Sequence, residues 1–227
     1  MLPARVAETY QKPEFELTYF NGRGLAETSR LLLAYAQRVY VDKRFPLEII
    51  DFKTRKFKRD EFDNAKAEGA LDLSLGKVPF LKTQGVTISQ SKSIERFLAK
   101  QLNCMGATDL EGALIDAFCE HIRDIKTEYQ PYRKLEGEGG VEKFFEVELP
   151  AKLKALENTL SPNDKWIIGS SVSLADITLF SLVDFFDDKP KIIKTLQSTP
   201  KLLASYHGLS NLPQIKEWLT DRPESLF

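Results

Sequence analysis

The sequence predicts an α/β domain followed by an all-α domain. As far as about residue 105, short β-rich segments alternate with helical ones, and beyond it apolar residues recur with the period of α-helices. The run Ser-Leu-Ala-Asp at residues 173–176 has the spacing of a capping box, which starts a helix in the second part. We expect residues 13–102 to form the first domain, residues 109–227 to form the helical domain, and residues 1–12 to form an N-terminal extension.

The elements of the first domain are predicted to pack around one sheet. Residues 14–19 alternate polar and apolar side chains, as in a half-buried strand. The further elements, in chain order, are a turn at 21–24, a helix over 25–36, a strand over 39–45, a hairpin of strands 78–82 and 86–88, and a helix from Ser91, its N-cap, to Ala99. A βαβ unit followed by a hairpin and a helix packs as one α/β layer.

Two long helices are expected to open the second domain. The first carries an apolar stripe with the spacing i, i+3, i+4 and i+7, which we expect to lie in the core, and Pro131 marks its predicted end. The residues of this stripe are Leu110, Ala113, Leu114, Ala117, Phe118, Ile122 and Ile125. After a loop at residues 137–140, a second long helix is predicted over residues 144–160, with a bend at Pro150.

The capping box gives Ser173 and Asp176 a structural role. The Ser173 hydroxyl is expected to accept a hydrogen bond from the backbone N–H of Asp176, whose carboxylate reaches back to the N–H of Ser173. Val172 and Ile177 occupy the positions of a hydrophobic staple. We therefore expect a buried helix over residues 174–185 and no catalytic Ser/Asp pair.

The composition argues against several classes of protein. With 32 Lys and Arg against 33 Asp and Glu, the formal charge is −1, so the chain lacks the positive surplus of a dedicated nucleic-acid binder. No apolar run approaches the roughly 18 residues of a membrane span, and residues 1–12 lack the apolar stretch of a secretory signal. Cys104 and Cys119 have no metal-ligand or disulfide-framework spacing, which predicts reduced thiols. With only His121 and His207 available, we also expect no histidine-rich metal site.

Three short segments carry groups suited to an anionic, peptide-like ligand. If the Val78–Pro79 bond is cis at the start of a strand, the backbone of Val78 stays free to pair with an extended peptide. Gln90 and Ser91 open a helix whose free N–H groups and dipole attract a carboxylate, although Ser91 alternatively serves only as a cap. Tyr19 ends a strand before a glycine-flanked turn, where its hydroxyl either donates to an anion or its ring only packs.

The order of these features resembles that of the cytosolic glutathione transferases, in particular the sigma class, which includes glutathione-dependent prostaglandin D synthases and lens crystallins. The resembling stretches are LTYFNGRGLAETSRLLLAYA (17–36), GKVPFL (76–81), TISQSKSIERFLA (87–99), WIIGSSVSLADI (166–177) and LPQIKEWLTDRP (212–223). The resemblance implies a thioredoxin-like N-terminal domain, an all-helical C-terminal domain with a pocket for a hydrophobic electrophile, and a cytoplasmic homodimer engaged in detoxification.

The same resemblance implies roles for single residues. Tyr19 would be the catalytic tyrosine, whose hydroxyl hydrogen-bonds the sulfur of glutathione, the substrate. The implied glutathione contacts are Lys77, Val78, Gln90, Ser91 and, from the partner subunit, Asp124. A free cysteine thiol has a pKa of about 8.5, so only a small fraction is thiolate at neutral pH. A donor aimed at the sulfur increases this fraction, which attacks the electrophile.

The sequence departs from the class pattern at three places. Residues 49–76 form a longer segment without tryptophan, so Phe62 and Lys66 are only weak candidates for further glutathione contacts. Leu25 stands where the class often has an arginine beside the thiol. In the family's acidic cluster on the first long helix, the sequence reads Glu120, Arg123 and Asp124, and this arginine argues against a divalent cation there.

Other interpretations of the sequence stay open. A basic run in the longer segment forms either a solvated surface or a rim that attracts anionic glutathione. Its residues are Lys53, Arg55, Lys56, Lys58 and Arg59. The resemblance also allows a glutathione-dependent prostaglandin isomerase, or a non-catalytic crystallin or ligand carrier. Tyr19 and the short connection at residues 134–141 favour an enzyme.

Overall fold

The first part of the chain forms a four-stranded mixed sheet. A computed structural model describes residues 13–51, 56–134, 139–186 and 189–225. The sheet strands are β1 (Glu16–Phe20), β2 (Val41–Phe45), β5 (Phe80–Thr83) and β6 (Val86–Ser89), and a separate hairpin consists of β3 (Glu48–Asp51) and β4 (Lys56–Lys58). The strand order is β2-β1-β5-β6, in which β1 runs parallel to β2 and antiparallel to β5. The buried face of β1 therefore lies at the centre of the first domain.

Helices pack against this sheet and form most of the second part of the described chain. In the first part they are α1 (Glu27–Tyr35), α2 (Asp60–Ala67) and α3 (Ser91–Gln101), with 3₁₀ turns at Gly24–Ala26 and Asp72–Ser74. In the second part they are α4 (Asp109–Lys134), α5 (Gly140–Lys143), α6 (Leu149–Glu157), α7 (Leu174–Phe185), α8 (Lys189–Leu196), α9 (Pro200–Ser210) and α10 (Pro213–Asp221). This arrangement confirms the predicted fold class, an α/β domain followed by a helical domain.

One large core joins the two parts, and a smaller one lies under α2. Helix α7 is apolar nearly all round and buried from Leu174 to Asp184, as expected of a central helix. It packs against α4, α9 and, across the two parts, α1. The smaller core consists of Phe45, Phe62, Leu71 and Phe80, against which Phe20, Ala65 and Val78 pack.

The strand and helix boundaries near the predicted site differ by one or two residues from expectation. The hairpin begins at Phe80 and not at Val78, because the cis Val78–Pro79 bond precedes the ladder. Ser91 is the first residue of α3 and not its N-cap, which is Gln90. Gln90 has φ +72°, outside the helical region, so the helix cannot include it.

The longer segment between β2 and β5 folds into elements that the sequence did not predict. It contains the β3–β4 hairpin and α2. Of the basic run, Lys53 and Arg55 lie outside the described residues, while Lys58 approaches Glu48 at 3.9 Å and Asp60 at 3.5 Å. Arg59 pairs with Asp63 at 3.2 Å. Acidic neighbours thus offset at least part of the charge of this run.

The first long helix differs from prediction in its end and its buried face. Helix α4 continues past Pro131 to Lys134, although this proline cannot donate the helical hydrogen bond to the carbonyl of residue 127. The apolar stripe was only partly assigned correctly: Phe118, Ile122 and Ile125 are buried, but Leu110, Ala113, Leu114 and Ala117 are exposed. The buried face instead includes Ile115 and Cys119. Helix α4 therefore has a second apolar stripe on its surface.

The second long helix is interrupted before Pro150. Helices α5 and α6 are joined by a π-helical segment, Phe144–Glu148, and Pro150 lies in the first turn of α6. Proline is tolerated there because it needs no helical N–H partner. Of the predicted loop at 137–140, residues 137 and 138 lie outside the described residues and Gly140 begins α5. The irregularity of this helix is thus the π segment, and the bend expected at Pro150 stays a prediction.

The capping box is present and more extensive than predicted. The Asp176 carboxylate accepts from the Ser173 N–H at 2.9 Å and from the Ser173 hydroxyl at 2.8 Å. Its other oxygen accepts from the Ile167 N–H at 3.0 Å and the Ser205 hydroxyl at 2.6 Å. Asp176 is fully buried, so this carboxylate joins the loop before α7 to α9.

Three further features bear on the composition arguments. Cys104 and Cys119 are buried free thiols, and burial raises the pKa of each to about 12. In the part of the chain that the structure describes, no helix is both long and apolar enough to cross a membrane. The same residues include no group of three or more side chains of the types His, Cys, Asp and Glu that could bind a metal ion.

Candidate functional site

The sheet register brings three of the predicted site residues to one end of the sheet. Thr18 pairs with Phe80, and Phe80 pairs with Ser89. Tyr19, Val78 and Gln90 each lie just beyond these pairs, at neighbouring strand ends. The ladder thus brings together Tyr19 and Val78, which are 59 residues apart in the chain, and Val78 and Gln90, which are 12 apart.

The Tyr19 hydroxyl is held by the turn that follows β1. It accepts a hydrogen bond from the Leu25 N–H at 3.2 Å, where the 3₁₀ turn leads into α1. Gly24 has φ +37°, and a Cβ there would lie 2.6 Å from the hydroxyl oxygen, so only glycine fits. Burial raises the pKa of Tyr19, although the Leu25 N–H and the charge of Arg30 oppose this. The hydroxyl is therefore protonated at neutral pH and can donate.

Arg30 fixes the backbone of the same turn from below. Its guanidinium is fully buried and donates to the Gly22 carbonyl at 2.5 Å and to the Phe20 carbonyl at 3.4 Å. It pairs with Asp42 at 3.2 Å and lies 6.0 Å from the centre of the Tyr19 ring. Arg30 thereby holds two carbonyls of the turn between Tyr19 and Leu25, in addition to the hydrogen bond at the Tyr19 hydroxyl.

The backbone of Val78 lies beside this turn. Within the described ranges, neither its N–H nor its carbonyl takes part in the sheet ladder or in a turn hydrogen bond. Lys77 is exposed next to it. The stem of Lys66 packs on Gly76, where an added Cβ would lie 2.9 Å from its Cε atom. Two lysines therefore flank an available backbone edge.

The start of α3 completes this end of the sheet. Gln90 has φ +72° and ψ 115°, a conformation that costs a non-glycine residue about 1–3 kcal/mol and that occurs preferentially at functional sites. Gln90 is exposed and Ser91 half-buried. Since α3 has 11 residues, its first turn presents unpaired N–H groups and the positive end of a helix dipole.

Two other predicted residues lie away from this edge. Phe62 is almost fully buried among Phe20 and Phe45, with ring centres at 5.0 and 5.7 Å, which gives it a packing role beneath the site. Asp124 is exposed on α4. Its neighbour Arg123 pairs with the buried Glu95, one helical turn after Ser91. The helical turn of α4 that contains Arg123 is thus connected to α3 near its start.

A charged cluster that the sequence did not reveal joins the Tyr19 turn to the helical domain. Asp184, at the end of α7, pairs with Arg23 at 3.3 Å, Lys189 at 2.8 Å and Arg222 at 2.7 Å. Arg222 also pairs with Glu27 at 2.8 Å, and Glu27 accepts from the Trp218 indole at 2.9 Å. Burial alone would raise the pKa of Asp184, but hydrogen bonds from Arg222 and Lys189 hold it well below its usual range.

A cavity lies beside this cluster. It measures about 710 Å³ and is lined by Arg23, Lys189, Arg222 and apolar groups of Phe186, Leu219 and Pro223. No single motif in the sequence could have indicated it, because its walls come from three distant segments. One local signal was the charge of Asp184 after the apolar pair Leu182 and Val183 in this helical run.

Comparisons with known proteins agree with this geometry. Residues 15–100 match the family model of the glutathione S-transferase N-terminal domain, and residues 123–222 match that of the glutathione S-transferase C-terminal domain. The chain is 30% identical over 224 residues to glutathione S-transferase 1 of Ascaris suum, covering 95% of this chain and 100% of the relative. It is 33% identical over 223 residues to the hematopoietic prostaglandin D synthase of Gallus gallus, covering 94% of this chain and 98% of the relative.

A solved structure supports the same assignment. The Pi-class glutathione S-transferase of Onchocerca volvulus superposes with a TM-score of 0.76 at 28% identity, covering 92% of this chain and 93% of that one. Both halves of the chain are thus matched in sequence and in fold. The chain belongs to the glutathione transferase family.

Proposed function

We propose that the chain is a sigma-like glutathione transferase in which Tyr19 activates the glutathione thiol for attack on a hydrophobic electrophile. The observation that carries this proposal is the half-buried Tyr19, whose hydroxyl accepts from the Leu25 N–H at 3.2 Å at the same end of the sheet as Val78, whose backbone no ladder or turn hydrogen bond among the described residues occupies. A hydroxyl that accepts from one N–H becomes a better donor to a second group. Its remaining proton is available for the sulfur.

The proposed reaction needs no group beyond the substrate and the chain. Donation from Tyr19 favours the thiolate over the thiol, and each pKa unit by which it lowers the thiol pKa corresponds to about 1.4 kcal/mol. The thiol proton passes to solvent, the thiolate forms a carbon–sulfur bond, and a leaving group such as chloride departs with its electron pair. Proximity of the two bound reactants supplies a further part of the acceleration.

Glutathione binding is assigned to the same end of the sheet. The cysteinyl backbone of glutathione pairs with Val78 in this proposal, as a short added strand. Its γ-glutamyl carboxylate lies at the N–H groups of Gln90 and Ser91, and the exposed Lys77 lies beside its other carboxylate. Lys66, whose stem packs on Gly76, is the weaker candidate for that second contact. Phe62 supports Val78 from below.

Asp124 is proposed to reach the glutathione of a partner subunit, so the working form is a homodimer, acting in the cytoplasm. Asp124 is exposed on α4, next to Arg123, which pairs with Glu95 on α3. The dimer is a symmetric one, as most soluble homo-oligomers are. The electrophile binds on the side of the helical domain.

Affinity and turnover test the proposal directly. We expect the protein to be retained on immobilised glutathione, to elute with free glutathione, and to conjugate 1-chloro-2,4-dinitrobenzene. Retention without turnover of a chlorinated nitrobenzene, and without isomerisation of prostaglandin H2, would instead identify a non-catalytic binder. Failure of both would refute the assignment of the sheet end as a glutathione site.

A glutathione-dependent prostaglandin isomerase is the second candidate function. The 33% identity with the prostaglandin D synthase of Gallus gallus favours it. In that reaction glutathione is recovered and not consumed, so product analysis with prostaglandin H2 separates the two candidates. Formation of a prostaglandin at constant glutathione concentration, without conjugation of the chlorinated nitrobenzene, would favour the isomerase.

A further inference from the structure

The cavity beside Asp184 differs in charge from a purely apolar pocket. We name it the basic cleft; its charged lining residues are Arg23, Lys189, Arg222 and Glu224. The three cations of the lining face three carboxylates: Glu224, the adjoining Asp184, and Glu27, which pairs with Arg222. Lys189 is 46% exposed, whereas Arg23 and Arg222 are 18% and 14% exposed, so these cations reach the cleft without being fully hydrated.

Arg23 has unused donors that face no acceptor in the described chain. Its Nη1 atom makes both contacts to Asp184, to the backbone carbonyl at 2.6 Å and to a carboxylate oxygen at 3.3 Å. Among the described residues, no hydrogen bond occupies its Nε or Nη2 atoms. The planar fork of a guanidinium matches the two oxygens of a carboxylate.

The cleft adjoins the proposed catalytic turn. Arg23 lies between Tyr19 and Leu25, the two residues that fix the Tyr19 hydroxyl. The apolar part of the lining consists of Phe186, Leu219 and Pro223. A ligand that fills the 710 Å³ of the cleft therefore has an apolar body and a charged end.

We infer that the basic cleft selects electrophiles that carry their own carboxylate, with the carboxylate bound by Arg23 and Lys189 and the apolar body held between Phe186 and Leu219. The inference rests on the proposed function for the reacting thiolate, but the binding it describes does not require turnover. Arg23, through its Nε and Nη2 donors, and the exposed ammonium of Lys189 offer donors to the two oxygens of one carboxylate. Asp184 holds the three cations in place before the ligand arrives, which reduces the cost of ordering them on binding.

A matched pair of electrophiles tests the inference. 4-Chloro-3,5-dinitrobenzoate and its methyl ester react by the same steps: the thiolate forms a bond to C4, chloride leaves with its electron pair, and the thiol proton passes to solvent. We expect the KM of the benzoate to be lower than that of the ester by about fivefold, near the upper end for one partly exposed charge pair. This preference should decrease with added salt, because screening weakens exposed charge pairs.

Charge reversal at one lysine provides the matched comparison. Lys189→Glu should abolish or reverse the preference for the benzoate, as judged by the ratio of the two KM values. Lys194→Glu makes the same change in net charge at an exposed position of the same helix, α8, and should leave the ratio unchanged. The inference would be overturned if the ratio of the two KM values in Lys189→Glu stays within about twofold of the wild-type ratio. It would also be overturned if this ratio changes equally in both variants.

A binding experiment keeps the two proposals separable. In isothermal titration, 3,5-dinitrobenzoate should bind more tightly than 3,5-dinitrobenzamide, and Lys189→Glu should remove the difference. Benzoate binding that depends on Lys189 in a protein without conjugating activity would refute the proposed function and support the cleft. Conjugation of the ester without any preference for the benzoate would refute the cleft and support the proposed function.

Discussion

The setting of Tyr19 keeps its hydroxyl protonated while strengthening it as a donor. Burial raises the pKa of this group, and the Leu25 N–H and Arg30 reduce that rise without reversing it. Since an ordinary tyrosine already has a pKa of about 10, Tyr19 stays neutral across physiological pH. A change of activity between pH 6 and 9 must then report the sulfur of glutathione and not the tyrosine.

Replacing Tyr19 by phenylalanine tests this assignment. We expect Tyr19→Phe to bind glutathione within a few-fold of wild type and to lose on the order of tenfold or more in turnover, because only the hydroxyl can stabilise the thiolate. The pH profile of kcat/KM should also shift toward the free thiol pKa of about 8.5. Equal activity of the two proteins from pH 6 to 9 would remove Tyr19 from the mechanism.

Single residues of the site could be predicted only where a local pattern exposed them. Val78 and Gln90 lie next to turn signals, so their positions at strand ends followed from the sequence. Arg30 did not, because a lone arginine in a helical run usually lies on the surface, whereas this one is fully buried under the Tyr19 turn. Its partners Phe20 and Gly22 are carbonyl acceptors, which carry no side-chain signal.

Helix α4 shows why periodicity alone assigned a face incorrectly. Its exposed leucines, Leu110 and Leu114, and its buried Phe118 and Ile122 satisfy one i, i+4 spacing. Each i+4 step rotates by about 40° around a helix of 3.6 residues per turn, so the same row turns from solvent at Leu110 to the core at Ile122. A pattern of apolar residues predicts that a face is covered, but it does not say by which chain.

The capping box is the element whose stability contribution is most directly testable. We expect Ser173→Ala to cost about 0.5–2 kcal/mol of unfolding free energy, as for other lost N-caps. Asp176→Ala should cost more, because about 1–3 kcal/mol follows from each buried donor left without an acceptor, here including the Ile167 N–H and the Ser205 hydroxyl. Urea unfolding measures both.

The control for the capping box is a nearby serine. Ser171→Ala removes an exposed hydroxyl two residues before Ser173 and should leave the unfolding midpoint within error. We expect the activity per folded molecule to be unchanged in all three variants. A selective loss of rate at an unchanged unfolding midpoint in Asp176→Ala would show that its role is not structural.

The two domains are joined by charges as well as by apolar packing. Arg222, near the end of α10, contacts Glu27 on α1 and Asp184 on α7. Each charge of a buried pair loses its hydration, and its attraction to the partner compensates part of that cost. Removal of one partner therefore leaves a buried charge without this compensation. None of these pairs could be predicted, since each joins residues at least 38 positions apart in the chain.

In Arg222→Met, the free energy of unfolding should depend less on pH in the acidic range than it does in wild type. The pKa of Asp184 is lowered in the fold, so its contribution to stability is present above the unfolded pKa of about 3.9 and is lost as pH falls through the folded value. The variant should lose about 1–3 kcal/mol at pH 7, and this difference should shrink below about pH 4. Arg38→Met, which removes an exposed arginine, is the control. A deficit independent of pH would point to lost packing alone.

Assembly is the remaining question for the whole molecule. The surface of α4 carries Leu110, 70% exposed, and Leu114, 51% exposed. On the same side of the molecule, Arg96 pairs with Asp116, and Lys92 pairs with Glu120 at 2.7 Å. A surface with both signs of charge and an apolar stripe can be complementary to a second copy of itself about a two-fold axis. It is also more apolar than the charged residues of α4 suggested.

The last prediction separates assembly from chemistry. Leu114→Glu should produce a monomer in light scattering at assay concentration, since it places a charge in the apolar stripe, whereas Val39→Glu, at an exposed valine 80% accessible, should remain dimeric. Asp124→Ala should keep the dimer and raise the KM for glutathione several-fold, on the order expected for one charged contact, with kcat little changed. If wild type is a fully active monomer, the interface is wrong. If Asp124→Ala leaves glutathione affinity unchanged in an intact dimer, the partner's glutathione is bound without it.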